Sequence, residues 1–225
     1  MFTLGMPFWQ AVGGGGGPSY LFQETFTDTN GVLAASHTPD IAPVGFAWSN
    51  WYVPVGDSLE ISSNTLVGVA STGTDRTASF YSASSSPAVA ISPAYPYKVT
   101  FQAKASDLVN SSSSSFTLTD NSATYQVITL SLERRSASPN WRASIQYGGN
   151  LDGNSWVSAY FTPNAVVKLA LLVEDGFLTF YQDDSIVYGP VACSMEAPTF
   201  DSLACYISYK TGDTSHIDLI EIEQL

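Results

Sequence analysis

The hydrophobic and polar positions of this chain alternate with a period of two wherever they are ordered. The clearest case is Tyr97–Lys104, where Tyr97, Val99, Phe101 and Ala103 interleave with Lys98, Thr100, Gln102 and Lys104. Successive side chains of a strand point to opposite faces, so this segment has one side for a core and one for water. Similar strands are predicted at Tyr20–Thr27, Ser115–Thr119, Tyr125–Arg134, Arg142–Tyr147, Leu203–Tyr209 and His216–Glu223, separated by clusters of Asp, Asn, Ser, Gly and Pro. Two hairpins stand out. Ser63-Asn64 divides the run Ser58–Gly68, and Asp175-Gly176 joins Val166–Val173 to Phe177–Gln182, the pairing that suits a type I′ turn. No stretch shows a helical stripe, so the pattern predicts an all-β, antiparallel β-sandwich.

Upstream of this pattern, Met1–Val12 is apolar and is cut off by Gly13–Gly17 and Pro18. Glycine leaves φ and ψ nearly free, so 13–18 is expected to be a flexible linker spanning about 20 Å at full stretch. The chain therefore divides into an N-terminal arm (1–12), a glycine-rich linker (13–18) and one β domain (19–225). The arm has no basic n-region and is broken by Gly5, Pro7 and Gln10, unlike a signal peptide, and no later segment reaches the about 20 apolar residues of a membrane helix. Phe2, Leu4, Phe8 and Trp9 are the expected anchoring residues, either docked in another subunit or folded back on the domain. Left in water they would be an aggregation liability.

Composition narrows the partners. Hydrophobic residues make up 44% of the 225, enough for one substantial core, but only 12% are charged. Eight Lys and Arg against 20 Asp and Glu give a formal charge of −12, and the first cation is Arg76. That field opposes phosphate backbones and anionic bilayers, so neither nucleic acid nor a membrane is an expected partner. Cys193 and Cys205 lack zinc-site spacing and suit either one disulfide or two thiols.

In this order and spacing, several segments resemble the concanavalin A-like lectin/glucanase, or LamG-like, jelly rolls of bacterial surface and phage virion proteins. The carriers are Phe26-Thr27-Asp28-Thr29-Asn30-Gly31-Val32-Leu33, Trp48, the Leu59–Leu66 hairpin, Tyr97–Phe101, the Asp175-Gly176 hairpin and Ile217–Ile222. The resemblance covers about Tyr20 to Leu225 and implies a jelly-roll head. An apolar peptide followed by polyglycine is also similar to phage tail and capsid accessory proteins. Together they imply a virion protein, a capsid decoration or a tail or head fibre assembled in the host cytoplasm, held by its arm to capsid or tail proteins. A homo-oligomer is expected, without a heptad stalk to set its order.

Glycoside hydrolases of this class carry paired carboxylates in a pattern like Glu-x-Asp-x-x-Glu, one to protonate the leaving oxygen and one as nucleophile or base. The nearest match, Asp218-Leu219-Ile220-Glu221-Ile222-Glu223, departs from it and lies on the terminal strand, where a solvent-facing charged edge is expected instead. With only His37 and His216 and no Gly-x-Ser-x-Gly, Ser/His chemistry has no support, and His37 is expected to serve a turn. The expectation is no enzyme and no cofactor, with a structural calcium held by Asp28, Asn30 and Asp218 as the one metal to consider. Glycan binding needs exposed aromatic faces beside amides and hydroxyls. Trp51 with Tyr52, or Trp141, Tyr147 and Trp156 beside the loop Gly148–Asn154, are the candidates. A free or cell-surface lectin, and less readily a glycan hydrolase, are the competing readings.

Overall fold

The computed structural model describes residues 19–92, 96–106, 113–121, 126–134, 141–149, 153–193 and 198–225. The arm residues Phe2, Leu4, Phe8 and Trp9 and the linker lie outside the described residues, as do the side chains of Trp51, 141–149 and 153–159.

The strands in chain order are β1 (Ser19–Glu24), β2 (Trp48–Tyr52), β3 (Ser58–Ser62), β4 (Thr65–Val69), β5 (Arg76–Ser82), β6 (Val89–Ala90), β7 (Tyr97–Lys104), β8 (Ser113–Asp120) and β9 (Gln126–Arg134). They continue with β10 (Trp141–Gly149), β11 (Gly153–Phe161), β12 (Val166–Glu174), β13 (Phe177–Gln182), β14 (Ser185–Ala192), β15 (Thr199–Phe200), β16 (Ser202–Tyr209) and β17 (His216–Gln224). An 8-stranded sheet runs β14-β13-β12-β7-β17-β4-β3, with β1 also on β17, and a 7-stranded sheet runs β11-β10-β9-β8-β16-β5-β2. The strand pairings are antiparallel, and β6 and β15 form a small separate ribbon. The all-β sandwich predicted from the alternation is present.

Its core follows from that alternation. Val99, Phe101 and Ala103 of β7, Leu169 and Leu171 of β12, and Ile217, Ile220 and Ile222 of β17 face inward from the larger sheet. Phe116 and Leu118 of β8, Ile128, Leu130 and Leu132 of β9, and Leu203, Cys205 and Ile207 of β16 meet them from the smaller one. Phe101 and Phe116 stack across the interlayer at 6.4 Å between ring centroids. Burying each such side chain contributes about 1.5–3 kcal/mol. Gly68 of β4 marks a close approach of the layers: a Cβ there would lie 2.2 Å from the ring of Tyr209, whose hydroxyl donates to Asp57 at 3.2 Å.

Both predicted hairpins form. Ser63 and Asn64 have φ of 53° and 60°, Asp175 and Gly176 of 51° and 76°, as a type I′ turn requires. A third such turn, Asp183-Asp184 (φ 49° and 63°), launches β14, which the alternation did not predict. β5 and β11 were also unforeseen. Gly153–Ser155 has turn composition, yet pairing with β10 over Gly149↔Gly153 to Trp141↔Phe161 draws it into a strand.

One placement is corrected. The terminal strand β17 is not a charged edge; it lies inside the larger sheet, with β7 on one side and β1 and β4 on the other. Its apolar side chains need cover from both directions, which an edge position does not provide. Cys193 and Cys205 are not joined by a disulfide; Cys205 is in the core.

Candidate functional site

The outward face of the 7-stranded sheet is defined by what faces in. Ala78 and Phe80, Phe116 and Leu118, Ile128 and Leu130, and Cys205 and Ile207 enter the core, so the residues between them point away from it. Residues paired across antiparallel strands share a face, and the registers align them in transverse rows. One row is Tyr81, Ala204, Thr117 and Thr129; the next is Tyr52, Ser79, Tyr206, Ser115 and Ser131. Thr77 and Ser208 begin a third. The hydroxyls of Ser79, Ser115, Ser131 and Ser208 on this side are buried, while Thr117, Thr129, Tyr81 and Tyr206 are half-buried and Tyr52, at the β2 edge, is exposed.

Those hydroxyls hold one another. Thr117 Oγ1 and Thr129 Oγ1 are 3.2 Å apart, Thr77 Oγ1 and Ser208 Oγ 3.1 Å, and the Tyr81 and Tyr206 hydroxyls share a hydrogen bond while their rings meet edge to face at 5.8 Å. Burial, then the hydrogen bond with Tyr81, raises the Tyr206 pKa, so this phenol stays a donor through neutral pH. Tyr52 is 57% exposed at the β2 margin of the face. Glu133 is the one carboxylate on this face among the described residues of β5, β8, β9 and β16, and Ser131 Oγ donates to it at 3.0 Å.

The sequence candidates fall unevenly. Trp51 lies at the irregularity of β2 between Asn50 and Tyr52, Trp141 and Tyr147 lie in β10 and Trp156 in β11, their side chains outside the described residues. In the backbone register Thr129 pairs with Gln146, and Gln146 with Trp156. Tyr52 is the candidate aromatic that the structure places on the face. Thr117, Thr129, Tyr81 and Tyr206 carry no sequence signal beyond strand alternation, since only the register brings them together.

The calcium candidates have other partners. Asp28 Oδ1 accepts the Thr29 N–H at 2.6 Å and its Oδ2 lies 3.2 Å from His37 Nδ1. Asn30 Oδ1 accepts the Ser63 N–H at 2.8 Å, and Asp218 Oδ1 is 3.3 Å from His216 Nε2. Among the described residues no group of three or more His, Cys, Asp or Glu is arranged to hold a metal ion.

A second polar cluster is sealed inside. Glu24, at the end of β1, is 0% exposed; it accepts the Phe26 N–H at 2.7 Å and the Trp48 indole N–H at 3.2 Å, and lies 2.9 Å from His37 Nε2. Burial raises the Glu24 pKa, against the opposing pull of His37 and the two N–H donors. For His37, burial would lower the pKa, but the charge of Glu24 and the bonds to Asp28 and Glu24 outweigh it and the net shift is upward. An imidazole with carboxylates at both nitrogens is best satisfied as a cation donating to each. His37 therefore joins β1 to the following loop through Glu24 and Asp28, and Glu24 carries the connection on to Trp48 of β2. Without access for a substrate, the cluster is structural.

The fold is a sandwich of two antiparallel sheets. No protein-family model and no curated protein sequence matches the chain. Among solved structures it is similar to the catalytic domain of an endo-1,3-β-glucanase (laminarinase) from Thermotoga petrophila (TM-score 0.58, 11% identity, 92% of this chain and 98% of that one). It is also similar to a GlcNAcα1-4Gal-releasing endo-β-galactosidase from Clostridium perfringens (TM-score 0.56, 14% identity), covering 97% of this chain but 64% of that one. A third is the CBM2 module of the evolved Dit of Lactobacillus casei phage J-1 (TM-score 0.56, 11% identity, 92% and 95%). At these identities the likeness shows the fold. It also corrects one expectation. The expectation of no enzyme, drawn from the departure of Asp218–Glu223 from the paired-carboxylate pattern, does not stand, because solved structures of similar fold include endo-glucanases.

Proposed function

We propose that the chain is a glycan-recognising jelly-roll head of a phage particle, held to capsid or tail proteins by residues 1–12 through the glycine linker. The observation that carries the glycan reading is the outer face on which Thr117, Thr129, Tyr81 and Tyr206 are half-buried and Tyr52, at the β2 edge, is exposed. Sugars are recognised by aromatic rings against their C–H faces and by directional hydrogen bonds to their hydroxyls, and Tyr52, Tyr206, Thr117 and Thr129 supply both from one surface. A module of a phage Dit protein shares the fold, which supports the virion setting, as do the apolar arm and linker.

A glycan array with the intact chain tests recognition. Tyr52→Ala and the pair Thr117→Ala/Thr129→Ala are each expected to weaken binding about tenfold or more, the equivalent of roughly 1.4 kcal/mol. An array without binding, or binding that ignores both changes, would remove the assignment. Release of reducing ends is measured on the same glycans: the shared fold supports hydrolysis as the second reading, which needs a second carboxylate beside Glu133 and requires product formation that Glu133→Gln abolishes. Deleting 1–17 is expected to stop the head from co-purifying with particles; retention at full occupancy would end the anchoring idea.

A further inference from the structure

The margins of the two sheets are not alike. At β3, the Gly31 N–H donates to Ile61 O and the Ile61 N–H to Val32 O, both at 2.9 Å, so a loop closes that edge. At β1, Gln23 and Ile41 exchange main-chain hydrogen bonds of 2.8 and 3.0 Å. β2, the last strand of the 7-stranded sheet, has β5 on one side, and among the described residues no main-chain bond covers Trp48–Tyr52 from the other. Ser49, Asn50 and Tyr52 are exposed.

Two copies of one turn bracket this open strand. Pro43-Val44-Gly45 precedes it and Pro54-Val55-Gly56 follows it. In each, the N–H after the glycine donates to the proline carbonyl at 3.0 Å (Phe46 to Pro43, Asp57 to Pro54), and the glycines have φ of +90° and +87°. Glycine at the third position with positive φ defines a type II turn, which puts valine at the second position, at the tip. Val44 is 101% exposed and Val55 99%. Polar residues would serve such tips equally well, yet both are valine, and no charged side chain occurs from Ile41 to Gly56 in a chain of net charge −12.

We propose that β2 pairs antiparallel with β2 of a second copy of this chain, across a two-fold axis at Ser49, which makes Trp48 and Asn50, on one face of the strand, cross-strand partners. Such an interface is isologous: the same patch meets itself, reversed. Because Trp51 is the extra residue at the strand irregularity, the register beyond it moves by one, so Val44 of one copy meets Val55 of the other and the two turns pack tip against tip at both ends. Two chains of the same strong charge repel each other, and an edge without a charged side chain from Ile41 to Gly56 adds no like-charge contact to that opposition. The strand irregularity at Trp51 keeps the ladder short, so the valine turns supply the apolar contact. Joined in this way, the two 7-stranded sheets present their hydroxyl faces side by side. The pairing does not depend on what those faces bind.

The test is the mass of the intact chain by light scattering from micromolar to submillimolar concentration. The wild type is expected to rise from 24.1 kDa toward twice that value. Val44→Asp/Val55→Asp, at tips that touch nothing in the monomer, is expected to keep its circular dichroism and dimerise at least tenfold more weakly. The register has its own check in a Cys193→Ser background. A mixture of Val44→Cys and Val55→Cys chains should form a covalent dimer under mild oxidation, while either alone should not. A monomer at every concentration overturns the proposal, as does a dimer indifferent to the aspartates. So does a dimer lost on removing 1–18 yet kept in Val44→Asp/Val55→Asp, which would make the arm the occupant.

Discussion

The polar groups of this head occupy two contrasting settings. On the outer face of the 7-stranded sheet, hydroxyls such as Thr117 and Thr129 bond to one another and remain within reach of a ligand. Beside β1, Glu24 and His37 are buried, charged and fully engaged with Trp48, Phe26 and Asp28. A neutral hydrogen bond at a half-exposed site exchanges readily with water and contributes about 0.5–1.5 kcal/mol. A buried charge that loses its partner has nothing to replace it. The same elementary interaction therefore lines an outer face in one place and holds the fold together in the other.

The widest separation between the two is expected from Glu24→Ala. Removing the carboxylate strands the His37 cation and the Trp48 N–H, and should cost about 3–5 kcal/mol, as for other broken buried pairs. Urea unfolding measures it; a loss below about 1 kcal/mol would mean that the cluster does not hold the fold.

The pH dependence comes next. The folded His37 pKa is raised above the ordinary 6.5, so its contribution is complete below that value and is lost as pH rises through the folded pKa. The raised Glu24 pKa acts in the same direction, favouring the fold at lower pH, whereas the lowered pKa of Asp40, held by Thr25 and Thr27 against its burial, gives stability that is lost only as pH falls through the folded value. The melting temperature should therefore decline from slightly acidic to alkaline pH, and His37→Gln should flatten that decline. A variant with the wild-type slope would assign the titration elsewhere.

The smallest effect is expected at the open face. Thr117→Ala/Thr129→Ala should change unfolding stability by about 1 kcal/mol or less, since these hydroxyls bond mainly to each other and both partners leave together. A larger loss would make the face structural and weaken its reading as a recognition surface.

Strands with strict alternation and turns with Asp-Gly or Asn at the corner were legible directly, because both signals are local. β5, β11 and β14 were not: Arg76–Ser82 and Gly153–Phe161 mix small polar residues with few aliphatics, and they become strands only because β16 and β10 offer a ladder. The role of His37 was half visible. A histidine in a turn-rich segment suggested a hydrogen bond, but the partner that decides its charge, Glu24, lies thirteen residues away on another element.

The sequence by itself determined the fold class and the main hairpins. Each depends on neighbours within a few residues, through strand periodicity and turn φ angles. Only the tertiary structure decided which strands are edges, that β17 is interior, and that Tyr52, Tyr206, Thr117 and Thr129 share one face. Those facts are set by register between strands far apart in the chain, where a shift of one residue would exchange the core face for the open one.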